Sequence, residues 1–166
     1  MKYQGPLFRA VNPIYARDPL SGRGAELYGG RFNAKGMAAL YLSISIMTAI
    51  REANQAGSLQ PTTLVSYDAD IDHVFDCRDE AALHAEGMSP TALADTGWRD
   101  AMKAQGEAPT QSFARRLKAS GWNGMMVRSF APGTTLDDLN LVLWVWHASE
   151  TARLTLIDDE KRLSRL

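Results

Sequence analysis

The residues best suited to chemistry in this chain are a turn-like segment, Gly29-Gly30-Arg31-Phe32-Asn33, and a few polar side chains placed after it. Two glycines let a backbone turn sharply or approach a ligand closely. An arginine directly behind them can be aimed at a phosphate or a carboxylate in a two-pronged geometry. Tyr41 follows ten residues after Arg31, then Glu52, and much later Ser129; Arg9 precedes them all. A carboxylate can stabilise a cationic transition state, an arginine can clamp a phosphate, and an aromatic ring can stack on a flat ligand. Taken one at a time, each has a plainer reading. Arg31 is then a turn arginine, Tyr41 a core tyrosine, Glu52 a solvent-facing acid or local partner of Arg51 or Arg31, and Ser129 a loop serine.

Other chemistries lack their signatures. The chain has no P-loop lysine pattern, no GxGxxG, no HExxH and no GxSxG. His73, His84 and His147 are far apart without metal-ligand spacing, so no metal is expected. Cys77 is the single cysteine, which excludes an internal disulfide and a cysteine-rich zinc site. Eighteen basic against nineteen acidic side chains leave a charge of −1, without the basic surplus that direct nucleic-acid binding calls for. The longest apolar runs, 37–42 and 141–146, are too short to span a bilayer. No apolar stretch follows Lys2, so no secretory signal is expected and the expected compartment is the cytoplasm.

The elements that must position these residues can be read from pattern. A chain of 166 residues with 45% hydrophobic side chains suits one globular domain, 1–166. Residues 6–11 read as a strand, followed by a glycine-dense loop and a buried strand over 38–43. Ser45 can cap a helix whose apolar face is Ile46, Ala49, Ile50 and Ala53, ended by Gly57. Strands are expected over 62–67 and 74–77, and short helices with loops over 79–109. Thr110 can cap a helix carrying Phe113, Ala114 and Leu117, stopped by Gly121. Strands then follow over 122–127, 140–147 and 153–157, with Val142, Trp144 and Trp146 on one face of the second. Without regular βαβ alternation, the class is α+β.

The ordered combination resembles the RES-domain family, named for an arginine, a glutamate and a serine. The matching stretches are Phe8-Arg9, the 29–33 segment with Gly36, Leu40-Tyr41-Leu42-Ser43, Thr48-Ala49 with Glu52, Gln111, 121–124 with Ser129, and Asn140-Leu141-Val142-Leu143. Size, charge and the alanine-rich middle resemble its ParT-type members. The resemblance leads one to expect a small residue or proline where Arg128 stands.

This resemblance implies two packed β-sheets with flanking helices and an NAD cleft, similar to ADP-ribosyltransferase toxins. It implies a toxin paired with an antitoxin that carries a DNA-binding part. NAD is then a substrate, and ADP-ribose passes to a protein acceptor or, in an NAD phosphorylase or glycohydrolase, to phosphate or water. Glu52, Arg31 and Tyr41 become the catalytic candidates. Arg9, Gly30, Arg31, Asn33, Tyr41 and Ser129 become the candidates for holding NAD. Two readings from other classes compete: a ribonuclease using Glu52 with His73 or His147, and a non-enzymatic module whose tryptophans line a pocket.

Overall fold

The computed structural model describes residues 1–55, 58–147 and 149–163. The strands are β1 (Tyr3–Val11), β2 (Leu40–Ser43), β3 (Thr63–Ile71), β4 (Val74–Asp76), β5 (Gly124–Arg128), β6 (Leu139–Leu143) and β7 (Ala152–Leu156). The helices are α1 (Arg23–Tyr28), α2 (Ile46–Ala53), α3 (Glu80–Ala85), α4 (Pro90–Leu93), α5 (Trp98–Gln105) and α6 (Pro109–Ala119). All the strands join one sheet in the order β4-β5-β6-β2-β1-β3-β7, parallel only between β4 and β5. The chain is α+β, as its pattern implied.

Chain connectivity forces this sheet to roll. Strands β3 and β4 are five places apart in the sheet, which in a flat sheet is roughly 24 Å. Only Asp72 and His73 link them, and three Cα steps reach at most about 11 Å. The sheet therefore curls until its β4 edge returns to the start of β1. There Met1 and Val74 exchange two backbone hydrogen bonds, at 2.8 and 2.9 Å. On the other side β1 meets β2 at one register pair, Phe8 with Ser43. The two packed sheets expected from the sequence are thus two halves, β4-β5-β6-β2 and β1-β3-β7, of one rolled sheet.

Alternation then sorts side chains into two cores. Inside the roll lie Leu7, Leu42, Tyr67, Ile71, Met126, Leu141 and Leu143. On the outer face of β5 and β6, Met125, Val127 and Val142 pack under Leu83 of α3, Leu93 of α4, and Phe113 and Leu117 of α6. The same face continues onto β2, where Tyr41 stands opposite Val142 and Ser43 opposite Asn140.

Several expectations change. The strand expected over 140–147 ends at Leu143, because Trp144 and Val145 both donate to the Asn123 carbonyl, at 2.9 and 3.1 Å. Two consecutive residues sharing one acceptor shift the alternation by one. Trp144 stays in the helix-covered core with Val142, whereas Trp146 enters the rolled core and donates to the Leu20 carbonyl. Both rings are buried, so core packing accounts for them. The cap of α6 is Ala108, not Thr110: Pro109 needs no donor there, and the Ala108 N–H donates back to Gln111 Oε1. Ser45 caps α2 as expected, but the helix ends at Ala53 with Asn54 as its C-cap. Gly57, expected to end it, lies outside the described residues. The glycine-dense loop contains a helix, α1, between Gly22 and Gly29.

Gly124 has no room for a side chain. A Cβ there would collide with the Val142 carbonyl and lie 2.8 Å from a Leu143 methyl. Gly124→Ala is expected to destabilise the fold by about 1–3 kcal/mol, read as a lower urea midpoint at constant m-value.

Candidate active site

The segment 29–33 is a tight turn closed by reciprocal backbone bonds between Gly30 and Asn33. Gly29 ends α1 at φ 74°, in the left-handed region glycine tolerates. A Cβ on Gly30 would collide with the Tyr41 hydroxyl and lie 2.6 Å from Asn33 Oδ1. Surrounding side chains saturate the turn. Asn33 donates to the Ala25 and Met37 carbonyls, and Tyr41 Oη donates to Asn33 Oδ1 at 2.6 Å while accepting from the Phe32 N–H. Gln111 donates to the Gly30 and Asn33 carbonyls, and the Trp144 indole to the Phe32 carbonyl. Burial pushes the Tyr41 hydroxyl well above its ordinary pKa, so it stays a protonated donor.

A turn held this way fixes Arg31. Its Nη1 donates to the carbonyls of Leu93 and Asp95, at 3.0 and 2.8 Å, and the guanidinium lies 4.8 Å from the Phe130 ring centre. Burial and then nearby Arg99 pull its pKa down, against Glu52 and Asp95, yet an arginine remains charged.

Glu52 approaches from α2. It lies one helical turn beyond Thr48, which is buried against Asp138, so the two share a face. Ser129 Oγ and Asn140 Nδ2 both donate to Glu52 Oε1, the latter at 2.6 Å. Ser43 Oγ orients Asn140 by donating to its Oδ1 at 2.7 Å. The other carboxylate oxygen, Oε2, accepts among the described residues only from the exposed Gln55. One oxygen is therefore locked and the other is open to a ligand.

Arg31, Tyr41, Glu52 and Asn140 line one cleft of about 260 Å³, with Gly30, Trp98, Arg99, Arg128 and Phe130. A second chamber of about 250 Å³ adjoins it and shares Tyr41, Glu52 and Asn140. Arg9 lines that chamber, beside Phe8, Leu42 and Ser43. Glu52 stands between a cleft with three arginines and a more apolar chamber with one.

Arg9, Gly30, Arg31, Tyr41 and Glu52 are thus brought together. Ser129 and Asn33 are fully buried and line neither chamber. Ser129 acts through Glu52, and Asn33 through Tyr41 and the turn. Arg51 pairs with Asp138 rather than Glu52. The histidines and Glu52 do not share a chamber, which leaves the ribonuclease reading without its acid–base pair. Sequence reasoning assigned no site role to Arg99, Arg128 or Phe130; Asn140 stood only in a stretch of the resemblance, and Trp98 only among the tryptophans of the binding-module reading, yet both line the cleft.

Comparison with known proteins identifies the family. The sequence model of the family described as RES domain matches residues 6–165. The chain is also similar to a protein named Toxin Res from Yersinia enterocolitica, at 48% identity over 46 residues. That stretch is 28% of this chain and 30% of the relative's length.

Asp138 couples α2 to the loop that carries Ser129. Its carboxylate accepts from Thr48 Oγ1, the Thr135 N–H and Arg51, and its carbonyl accepts from the Ser129 N–H. Bonds from Thr48 and Thr135, with Arg51 beside them, hold its pKa below the ordinary value. The stabilisation is then complete above the unfolded value, about 3.9, and is lost as pH falls through the lower native value. Asp138→Asn is expected to unfold at lower urea than the wild type at neutral pH. Measured across pH, the gap should close below about pH 3.9.

Proposed function

Because the chain belongs to the RES domain family, we propose that it is an NAD-consuming toxin that breaks the nicotinamide–ribose bond and passes ADP-ribose to a protein side chain. The observation that carries this reading is Glu52. Its Oε1 is fixed by Ser129 and Asn140, its Oε2 is held among the described residues only by the exposed Gln55, and the residue lines both chambers. As the C1′–N bond breaks, its electron pair leaves with nicotinamide, which departs neutral and needs no general acid. Positive charge grows on the ribose, as in glycoside cleavage. A preorganised carboxylate stabilises that charge, and Arg31 is positioned for a phosphate of the same substrate. The Tyr41 ring, a wall of both chambers, offers a stacking surface for nicotinamide. Its hydroxyl is committed to the turn.

The acceptor attacks the same carbon. A protein side chain is our first reading, in line with the ParT-type resemblance. Arg9 in the second chamber favours inorganic phosphate as the alternative, since an anionic nucleophile needs a cation on its side of the ribose. In cells, a partner with a DNA-binding part would neutralise the protein, as the family resemblance implies.

Glu52→Gln keeps the shape and removes the charge. It is expected to slow nicotinamide release from NAD by about 10²–10³-fold; an unaltered rate would make Glu52 structural. Radiolabelled NAD in cell extract should leave label on a protein band after denaturation. Label only in a small, phosphate-dependent product would instead establish phosphorolysis. Production of the wild-type protein without its partner is expected to arrest growth, with NAD loss or a modified protein as the readout.

A further inference from the structure

We propose that Arg99 and Arg128 form an outer clamp for the diphosphate of the substrate, with Arg31 as the fixed inner cation. The proposal rests on the NAD reading above for the identity of the diphosphate, but not for the existence of the site. Three arginines line the cleft against one carboxylate, Glu52. Glu52 is satisfied by the neutral donors Ser129, Asn140 and Gln55, so it neutralises none of them by direct contact.

The three arginines are not equivalent. Arg31 is half-buried, and its Nη1 is already committed to two carbonyls. Arg99 and Arg128 are exposed, and among the described residues neither guanidinium donates a hydrogen bond or enters an ion pair. Elsewhere among the described residues, Arg23, Arg51, Arg78, Arg115, Arg153 and Arg162 face a carboxylate within 4 Å, whereas Arg9, Arg17 and Arg116 do not. The Arg99 guanidinium carbon lies over the Trp98 ring, 4.4 Å from its centre, at the wall of the cleft. Arg128 extends from the end of β5, immediately before the residue that fixes Glu52. Gathering like charges in one cleft is unfavourable unless an anion joins them. Two phosphates present oxygens enough for several guanidinium forks, and a ring stacked under Arg99 limits the entropy lost on binding.

Inorganic pyrophosphate is the probe, because it carries the diphosphate without the rest of NAD. Calorimetry is expected to show pyrophosphate binding to the wild type, weakened about tenfold by Arg99→Gln and by Arg128→Gln alone and further by both. The same variants should raise KM for NAD in parallel, with a much smaller change in kcat. Thermal melts confirm folding; both side chains are exposed, and the single variants serve if the double does not fold. Pyrophosphate affinity and KM unchanged in the variants would overturn the clamp while leaving NAD cleavage intact. Pyrophosphate binding lost in the variants, with no nicotinamide released by the wild type, would keep the clamp and overturn the NAD reading. Inorganic phosphate that competes as well as pyrophosphate would overturn the clamp, assigning the arginines to a single phosphate.

Discussion

Glu52 is held by neutral donors in a cleft full of cations, and the site depends on that choice. An ion pair with Arg31 would have satisfied both groups and quenched both charges. Ser129 and Asn140 instead meet the hydrogen-bonding need of Oε1 and leave its negative charge in place. The arginines likewise keep their charge, Arg31 because its donors go to carbonyls. The cleft therefore presents separated negative and positive charge, suited to a ligand that is cationic at one end and anionic at the other. In a partly desolvated cleft such fixed charges act more strongly than in water.

Holding charges apart requires rigid supports, and these come from buried polar side chains. Asn33, Ser43, Gln111 and Ser129 are all buried, and each finds hydrogen-bond partners on a different element. Such a group costs more when its partner is lost than its bond contributes when present. Each thus fixes a geometry rather than adding stability in proportion to its bonds. Asp138 does the same at one remove, because it bonds α2 and the Ser129 loop together.

The legible parts of this structure are those encoded over a few residues. The Gly-Gly turn, the Ser45 cap and the alternation of the strands are local, and they lie where the sequence places them. The RES resemblance groups Arg9, Arg31, Tyr41, Glu52 and Ser129 from the sequence alone. It did not separate groups that line the cleft from groups that hold them. Ser129 and Asn33 look like binding residues in sequence and are buried supports in space. Asn140 meets Glu52 across 88 residues and Gln111 meets Gly30 across 81, so neither contact leaves a local trace. The reversal of Trp146 follows from two N–H groups sharing the Asn123 carbonyl, which no residue pattern announces.

The position of the site follows from the way the sheet closes. A two-residue link between β3 and β4 rolls the sheet, and the strain of that curvature need not be shared evenly. Pairing between the halves is reduced to Phe8 with Ser43, beside the point where β2 ends. Chain leaving β2 there enters α2 within two residues, so the helix lies against both β1 and β2. Ser43 is at once the last residue of β2, the pairing partner of Phe8 and the donor that orients Asn140. The seam between the halves is therefore also the place where Glu52 reaches the sheet. A fully paired β1–β2 ladder would need a longer β2 and would carry α2, with its carboxylate, away from Asn140 and Ser129. The narrow seam is thus a condition for the site.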